Sequence, residues 1–172
     1  CDLKNKKALL VGAGGAGSAI AHSLVLAGVS ELAIHDENTE RRESLIQRLN
    51  SLNMGRVYTG SSNPTGFDVA INATPVGMKD GDPYPLDVQQ LQSSMFVGCV
   101  ITQPAITPLI AAARALGCKT MTGAHMFGRV QQHGQLDRVA RQHHQWFVLA
   151  QPHVQHGSAS DLNLIPKVTP AQ

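Results

Sequence analysis

The feature that most narrows what this chain can fold into is Gly12-Ala13-Gly14-Gly15-Ala16-Gly17, set directly behind the apolar run Lys7–Val11. A short apolar run ending at a glycine cluster predicts a buried strand. The segment that follows carries Ala16, Ala19, Ile20, Ser23, Leu24 and Ala27 on one helical face and stops at Gly28. Small inward-facing residues with a glycine just past the end predict a helix lying close against a sheet. In such a strand–turn–helix, Gly12 permits the tight turn and Gly14 lets backbone approach a pyrophosphate with no side chain between. Gly17 lets the helix pack close on the strand. The helix N-terminus then offers free N–H groups and the positive end of its dipole to phosphates. A glycine-rich turn kept only for packing is the plain alternative. Strand, helix and a downstream acid together favour a nucleotide site, with residues 12 to 17 as its candidate binders.

The acid is Asp36, just past a second apolar run, Glu31–His35, and about 20 residues beyond the last glycine, where a ribose-binding carboxylate belongs. A carboxylate there accepts from both ribose hydroxyls and repels a 2′-phosphate, which favours NAD over NADP, and Glu37 adds to the repulsion. Arg41 and Arg42, on the first turn of the next helix, argue the other way, since either would reach a phosphate. A solvated helix face is their ordinary role. Arg41 is therefore kept as a candidate cofactor residue, with NADP as the alternative cofactor.

Further along, Asn38 or Thr39 caps a helix whose buried face is predicted as Leu45, Ile46, Leu49 and Leu52. Strands are predicted at Arg56–Thr59, Asp68–Asn72, Met95–Cys99 and Lys119–Met121. Thr107-Pro108 opens a helix, Thr as cap and Pro first, that Gly117 ends after Leu109, Ala112, Ala113 and Leu116. A last helix is predicted through Leu136, Val139, Ala140, His143 and Phe147, then a polar, proline-punctuated tail from Gln151. Alternating strands and helices predict an α/β, doubly wound (Rossmann-like), mostly parallel sheet in three layers. The expected organisation is one dinucleotide-binding domain over residues 1–150 and a tail over 151–172.

The segment after the fourth strand, Asn72-Ala73-Thr74-Pro75-Val76-Gly77-Met78, falls beside the switch point of such a sheet, where the nicotinamide end of a dinucleotide would sit. It supplies backbone groups and a small polar pair but no acid or base. Together with the glycine turn and Ile106-Thr107-Pro108-Leu109-Ile110, it resembles the C-terminal half of shikimate dehydrogenases, nearest the quinate/shikimate branch, over about Asp2 to Gln132. The resemblance implies reversible hydride transfer between a nicotinamide cofactor and a cyclic hydroxy acid. It places Gly12, Gly14, Ala16 and Gly17 at the pyrophosphate and Thr74, Pro75, Val76 and Met78 around the nicotinamide, with Gly123 and Met126 closing that pocket. It also implies an Asn-Arg-Thr stretch in NADP-using members, where this chain has Asp36, Glu37 and Asn38.

Two substrate contacts of the family are altered. A Tyr expected before the third motif is missing, leaving Thr102 as a partial substitute, and a Gln expected at Val130 shifts to Gln131. The family's Lys and Asp acid–base pair belongs to an N-terminal domain, which the residues upstream of Gly12 are too few to contain. No catalytic residue is therefore assigned in this chain, and an N-terminal catalytic domain is its expected partner. A non-catalytic nucleotide-binding or regulatory module, or a truncated homologue, is the competing reading.

The net charge of +2 with no basic run gives nothing to attract nucleic acid. No apolar stretch approaches the roughly 20 residues that span a bilayer. The 3 cysteines form no CxxC, which fits a reducing cytoplasm rather than a disulfide or zinc framework. The 8 histidines lack carboxylate partners at ligand spacing, so no metal site is assigned. A homodimer is left open.

Overall fold

The computed structural model describes residues 3–126. The predicted helix through Leu136 and Phe147, the tail from Gln151 and the candidate Gln131 lie outside the described residues.

Six strands, β1 (Lys7–Val11), β2 (Glu31–His35), β3 (Arg56–Thr59), β4 (Val69–Asn72), β5 (Phe96–Cys99) and β6 (Lys119–Met121), form one sheet of order β3-β2-β1-β4-β5-β6. Every adjacent pair is parallel, with Val11 opposite both His35 and Asn72. A parallel sheet has both faces covered, so its strands are apolar at successive positions rather than alternate ones. Leu10, Leu32, Ile34, Val69 and Ile71 pack on one face with residues of helices α1 (Gly15–Leu26) and α2 (Thr39–Asn50). Leu9, Val11, Ala33, Ala70 and Val97 pack on the other, against α3 (Pro108–Ala115) and the segment holding Leu86, Leu91 and Met95. This is the three-layer Rossmann-like fold expected.

The predicted caps form. Asn38 Oδ1 accepts from the Arg41 N–H at 2.9 Å, so Asn38 rather than Thr39 starts α2. Thr107 Oγ1 accepts from the Ile110 N–H at 3.3 Å with Pro108 first in α3.

The inward faces differ in detail. Helix α1 buries Gly17, Ile20, Ala21, Leu24 and Val25, whereas Ala16, Ala19 and Ala27 are only partly covered. The glycine at position 17 lets the helix rotate that stripe onto the sheet. Leu52 is exposed because α2 ends at Asn50 and the chain then turns through Asn53, whose φ is +53°. In α3 the buried face is Leu109, Ile110 and Ala113, leaving Leu116 exposed. Leu116 is already the C-cap, one residue before Gly117 turns the chain with φ +82°. Strands β4 and β5 each begin one residue later than predicted. Asp68, just before β4, exchanges two hydrogen bonds with Lys7, its amide to the carbonyl and its carboxylate from the N–H, both 2.9 Å.

Candidate functional site

The chain leaves β1 toward β2 on one side and leaves β4 toward β5 on the other, so the carboxyl ends of β1 and β4 diverge into a crevice. The Gly12 N–H donates to the His35 carbonyl at 2.8 Å and the Ala73 N–H to the Val11 carbonyl at 2.7 Å, holding the two loops at the crevice floor.

The glycines of the first turn divide into two kinds. At Gly12, with φ +105°, a Cβ would stand 2.8 Å from the Ala73 carbonyl carbon and from Thr74 Cγ2. A Cβ on Gly17 would overlap the Gly12 carbonyl oxygen. These two serve the turn and its packing. Gly14 and Gly15 would meet nothing within 4 Å, so they border open space at the head of α1. Gly14 is the N-cap of α1 and brings no side-chain cap, and the first turn carries no acid. Uncapped helix N–H groups beside open space, with no side chain on Gly14 or Gly15 in the way, suit a pyrophosphate.

Asp36 is buried at the end of β2, and its carboxylate is saturated. Oδ2 accepts from the Ala13 N–H at 2.7 Å and Oδ1 from the Asn38 N–H at 2.8 Å. Arg41 donates to both oxygens, with Nη2 2.7 Å from Oδ1 and Nε 3.2 Å from Oδ2. Burial pushes the carboxyl pKa up, but the bonds from Arg41, Ala13 and Asn38 outweigh it and hold Asp36 below the usual aspartate range. Asp36 and Arg41, which the sequence sets on opposite sides of the NAD-or-NADP question, are thus partners. Arg42 is directed to the Asp36 carbonyl and to Glu43.

The 72–78 loop is built by Asn72, which is fully buried. Its Oδ1 accepts from the Thr74 N–H at 3.0 Å and from Thr74 Oγ1 at 2.7 Å, while its Nδ2 donates to the Val76 carbonyl at 3.1 Å. Thr74 Oγ1 in turn accepts from the Val76 N–H at 3.1 Å. Asp82 closes the far side by accepting from the Gly77 and Lys79 N–H groups, each 3.0 Å away. Those bonds keep its carboxyl pKa low.

A cleft of about 490 Å³ opens over this floor. The structure brings Gly14, Asp36, Arg41, Thr74, Pro75 and Val76 to its walls. Ala13 supports it from below through Asp36, while Gly12 and Gly17 form its base. Met78 is half exposed outside the lining, as is Thr102, which is exposed on the loop after β5. Gly123 is wedged against the Val100 and Ile101 carbonyls, and Ile101 Cδ1 lies 4.0 Å from where a Cβ on Gly77 would be. Gly123 and Met126, both buried, therefore lie on the β5 side of the switch point rather than in this cleft. Ala16, on the first turn of α1, is partly covered.

Sequence reasoning missed His35, Ser62, Pro83, Tyr84 and Pro85, which also line the cleft. The Pro-Tyr-Pro run was the available signal, since prolines on both sides of Tyr84 restrict the backbone that presents it. Cys99 and Cys118 are buried free thiols; burial pushes the Cys118 pKa up, consistent with small apolar core residues. Among the described residues no group of His, Cys, Asp or Glu is arranged to hold a metal ion, and no helix is long and apolar enough to cross a membrane.

Comparison with known proteins falls on this same frame. Residues 1–45, which run from β1 through the glycine turn and Asp36 into α2, match a model described as the ThiF family. The chain is 38% identical over 123 residues to a quinate/shikimate dehydrogenase (NAD(+)) of Corynebacterium glutamicum, a match covering 67% of this chain and 43% of the relative. The solved quinate dehydrogenase of that organism in complex with NAD superposes with a TM-score of 0.64 at 35% identity, over 72% of this chain and 46% of that one. The chain belongs to the shikimate/quinate dehydrogenase family. A shikimate dehydrogenase (NADP(+)) of Streptomyces avermitilis, 34% identical over 131 residues, extends the match to 73% of this chain and 45% of the relative. The chain thus spans less than half the length of these family members, and its relatives are named for both NAD and NADP.

Proposed function

We propose that this chain is the cofactor-binding part of an NAD-linked dehydrogenase acting on a shikimate- or quinate-like hydroxy acid. The observation that carries the reading is the pairing of open, uncapped α1 backbone at Gly14 and Gly15 with a buried ionised Asp36 across one cleft. A bound nicotinamide cofactor supplies the hydride acceptor or donor. The chain's own residues bind and orient it. Backbone N–H groups at the head of α1 take the pyrophosphate, and Asp36 takes the adenosine ribose hydroxyls in exchange for its bonds to the half-exposed Arg41. Thr74, Pro75 and Val76, fixed by the Asn72 bonds, form the wall at the switch point. Gly123 and Met126 back the nicotinamide side, and Thr102 and Gln131 are proposed to meet the substrate.

NAD is favoured because Asp36 is held ionised where a 2′-phosphate would lie. NADP is the second reading, carried by Arg41, whose side chain is 51% exposed and can turn to a phosphate.

Among the described residues no Lys–Asp pair lines the cleft. The family resemblance, with a match to less than half of each relative's length, supports assigning proton transfer to an N-terminal catalytic domain, with residues 1–150 as the dinucleotide unit and 151–172 as a polar tail. The buried free thiols suit a reducing cytoplasm. The test is NAD reduction with shikimate and with quinate. The intact gene product is expected to turn over at least one, and the 172-residue chain alone to bind NAD without turnover. Appreciable turnover by the chain alone would overturn the assignment of proton transfer elsewhere.

A further inference from the structure

Tyr84 is half exposed, a large aromatic left at the mouth of the cleft. Its neighbours hold it there. Pro83 and Pro85 fix φ on both sides. Pro85 and Leu86 are buried, Leu86 in the core under β1 and β2. One residue further, the Asp87 N–H donates to the Ser62 carbonyl at 2.9 Å. The segment is thus anchored at both its core side and its backbone, while Tyr84 stays half exposed.

The anchor also fixes which end of the cleft Tyr84 occupies. Ser62 follows β3, the outermost strand beyond β2, whereas Gly77, Ile101 and Gly123 gather on the β4–β5 side. The loop after β4 therefore crosses back over the β1–β2 half of the sheet, and brings Tyr84 into the cleft that Asp36, Glu37 and Arg41 also line. A dinucleotide with its pyrophosphate at Gly14 and a ribose on Asp36 has its adenine beyond that ribose, on this side.

We infer that Tyr84 is the aromatic wall of the adenine pocket, stacking on the base of the bound dinucleotide. This rests on the cofactor reading above and deepens it. Proline-flanked, with only two side-chain torsions to freeze, Tyr84 loses little entropy on stacking. Every base presents a π face, so the contact adds affinity without selecting NAD over NADP.

The test is calorimetric titration of NAD and of ADP-ribose, which lacks nicotinamide, into the 172-residue chain and its Tyr84→Ala and Tyr84→Phe variants. Base–aromatic stacking strengths predict that Tyr84→Ala weakens both ligands equally, by about tenfold, and that Tyr84→Phe stays within about twofold of the parent. Melting temperatures should match throughout, since the ring is solvent-facing. ADP-ribose binding unchanged in Tyr84→Ala overturns the inference, whether NAD weakens alone, which would place the ring at the nicotinamide, or not at all. A parent chain that binds neither ligand fails at the earlier step and sinks the cofactor reading itself.

Discussion

Gly17→Ala separates what the glycine turn does for the fold from what it does for a ligand. The new methyl carbon would overlap the Gly12 carbonyl oxygen and lie 2.7 Å from the carbonyl carbon. Both obstacles are backbone, so neither can rotate away. Contact becomes ordinary only near 3.4 Å, so the first turn of α1 must retreat by over an ångström from β1. Overpacking of this kind costs about 3 kcal/mol, against which Ala gains about 1 kcal/mol in helix propensity. The net loss of about 2 kcal/mol lowers the melting temperature by roughly 5–10 °C for a domain of this size. The control is Gly14→Ala, at φ −71° with no atom within 4 Å of the new carbon, which should melt within about 2 °C of the parent. Its methyl nonetheless stands where phosphate oxygens would approach, so NAD affinity should fall at least about tenfold. Circular dichroism melting and calorimetry read the two effects separately. Equal melting of parent and Gly17→Ala would refute the packing role, and unchanged NAD affinity in Gly14→Ala would refute the phosphate role.

Three further outcomes are expected. Asp36→Ala strips the Ala13 N–H of its acceptor at a cost of about 1–3 kcal/mol, and loses the ribose bonds, so NAD affinity falls roughly 10–100-fold. With Arg41 released, the NADP/NAD affinity ratio should rise; an unchanged ratio in competitive titration would show that Asp36 does not select the cofactor. Because the folded-state pKa of Asp36 is depressed, its contribution to stability is present above the unfolded value of about 4. That contribution is lost as pH falls through the depressed value, so the melting difference between parent and Asp36→Asn should be flat from neutral pH to about 5 and shrink below it. A difference that grows on acidification would contradict the ion pair. Asn72→Ala leaves the Thr74 N–H and Val76 carbonyl without partners in a partly buried loop, costing about 1–3 kcal/mol by denaturant titration; a loss under about 0.5 kcal/mol would mean the loop is held by other contacts.

Much of this was legible in the sequence because local chemistry decided it. The glycine turn, Asn38 and Thr107 as caps, and Gly117 as a stop each follow from backbone requirements that few residues meet. Where reading slipped, the deciding contacts were distant. Leu52 and Leu116 keep helical spacing, yet the helices end before either can reach the sheet. The partnership of Asp36 with Arg41 depends on how α2 leaves β2, which spacing alone does not state. Tyr84 reaches the cleft only because Leu86 is drawn into the core and Asp87 bonds to Ser62, both long-range events. Thr102 and Met78 were placed by family likeness, and the structure leaves both outside the cleft lining.

The central claim is a dinucleotide site built on residues 12 to 17 and Asp36. Calorimetric titration of NAD and NADP into the 172-residue chain tests it most directly. The account predicts saturable binding of one NAD per chain, tighter than NADP. Absence of NAD binding at millimolar concentration, or tighter binding of NADP, would contradict it.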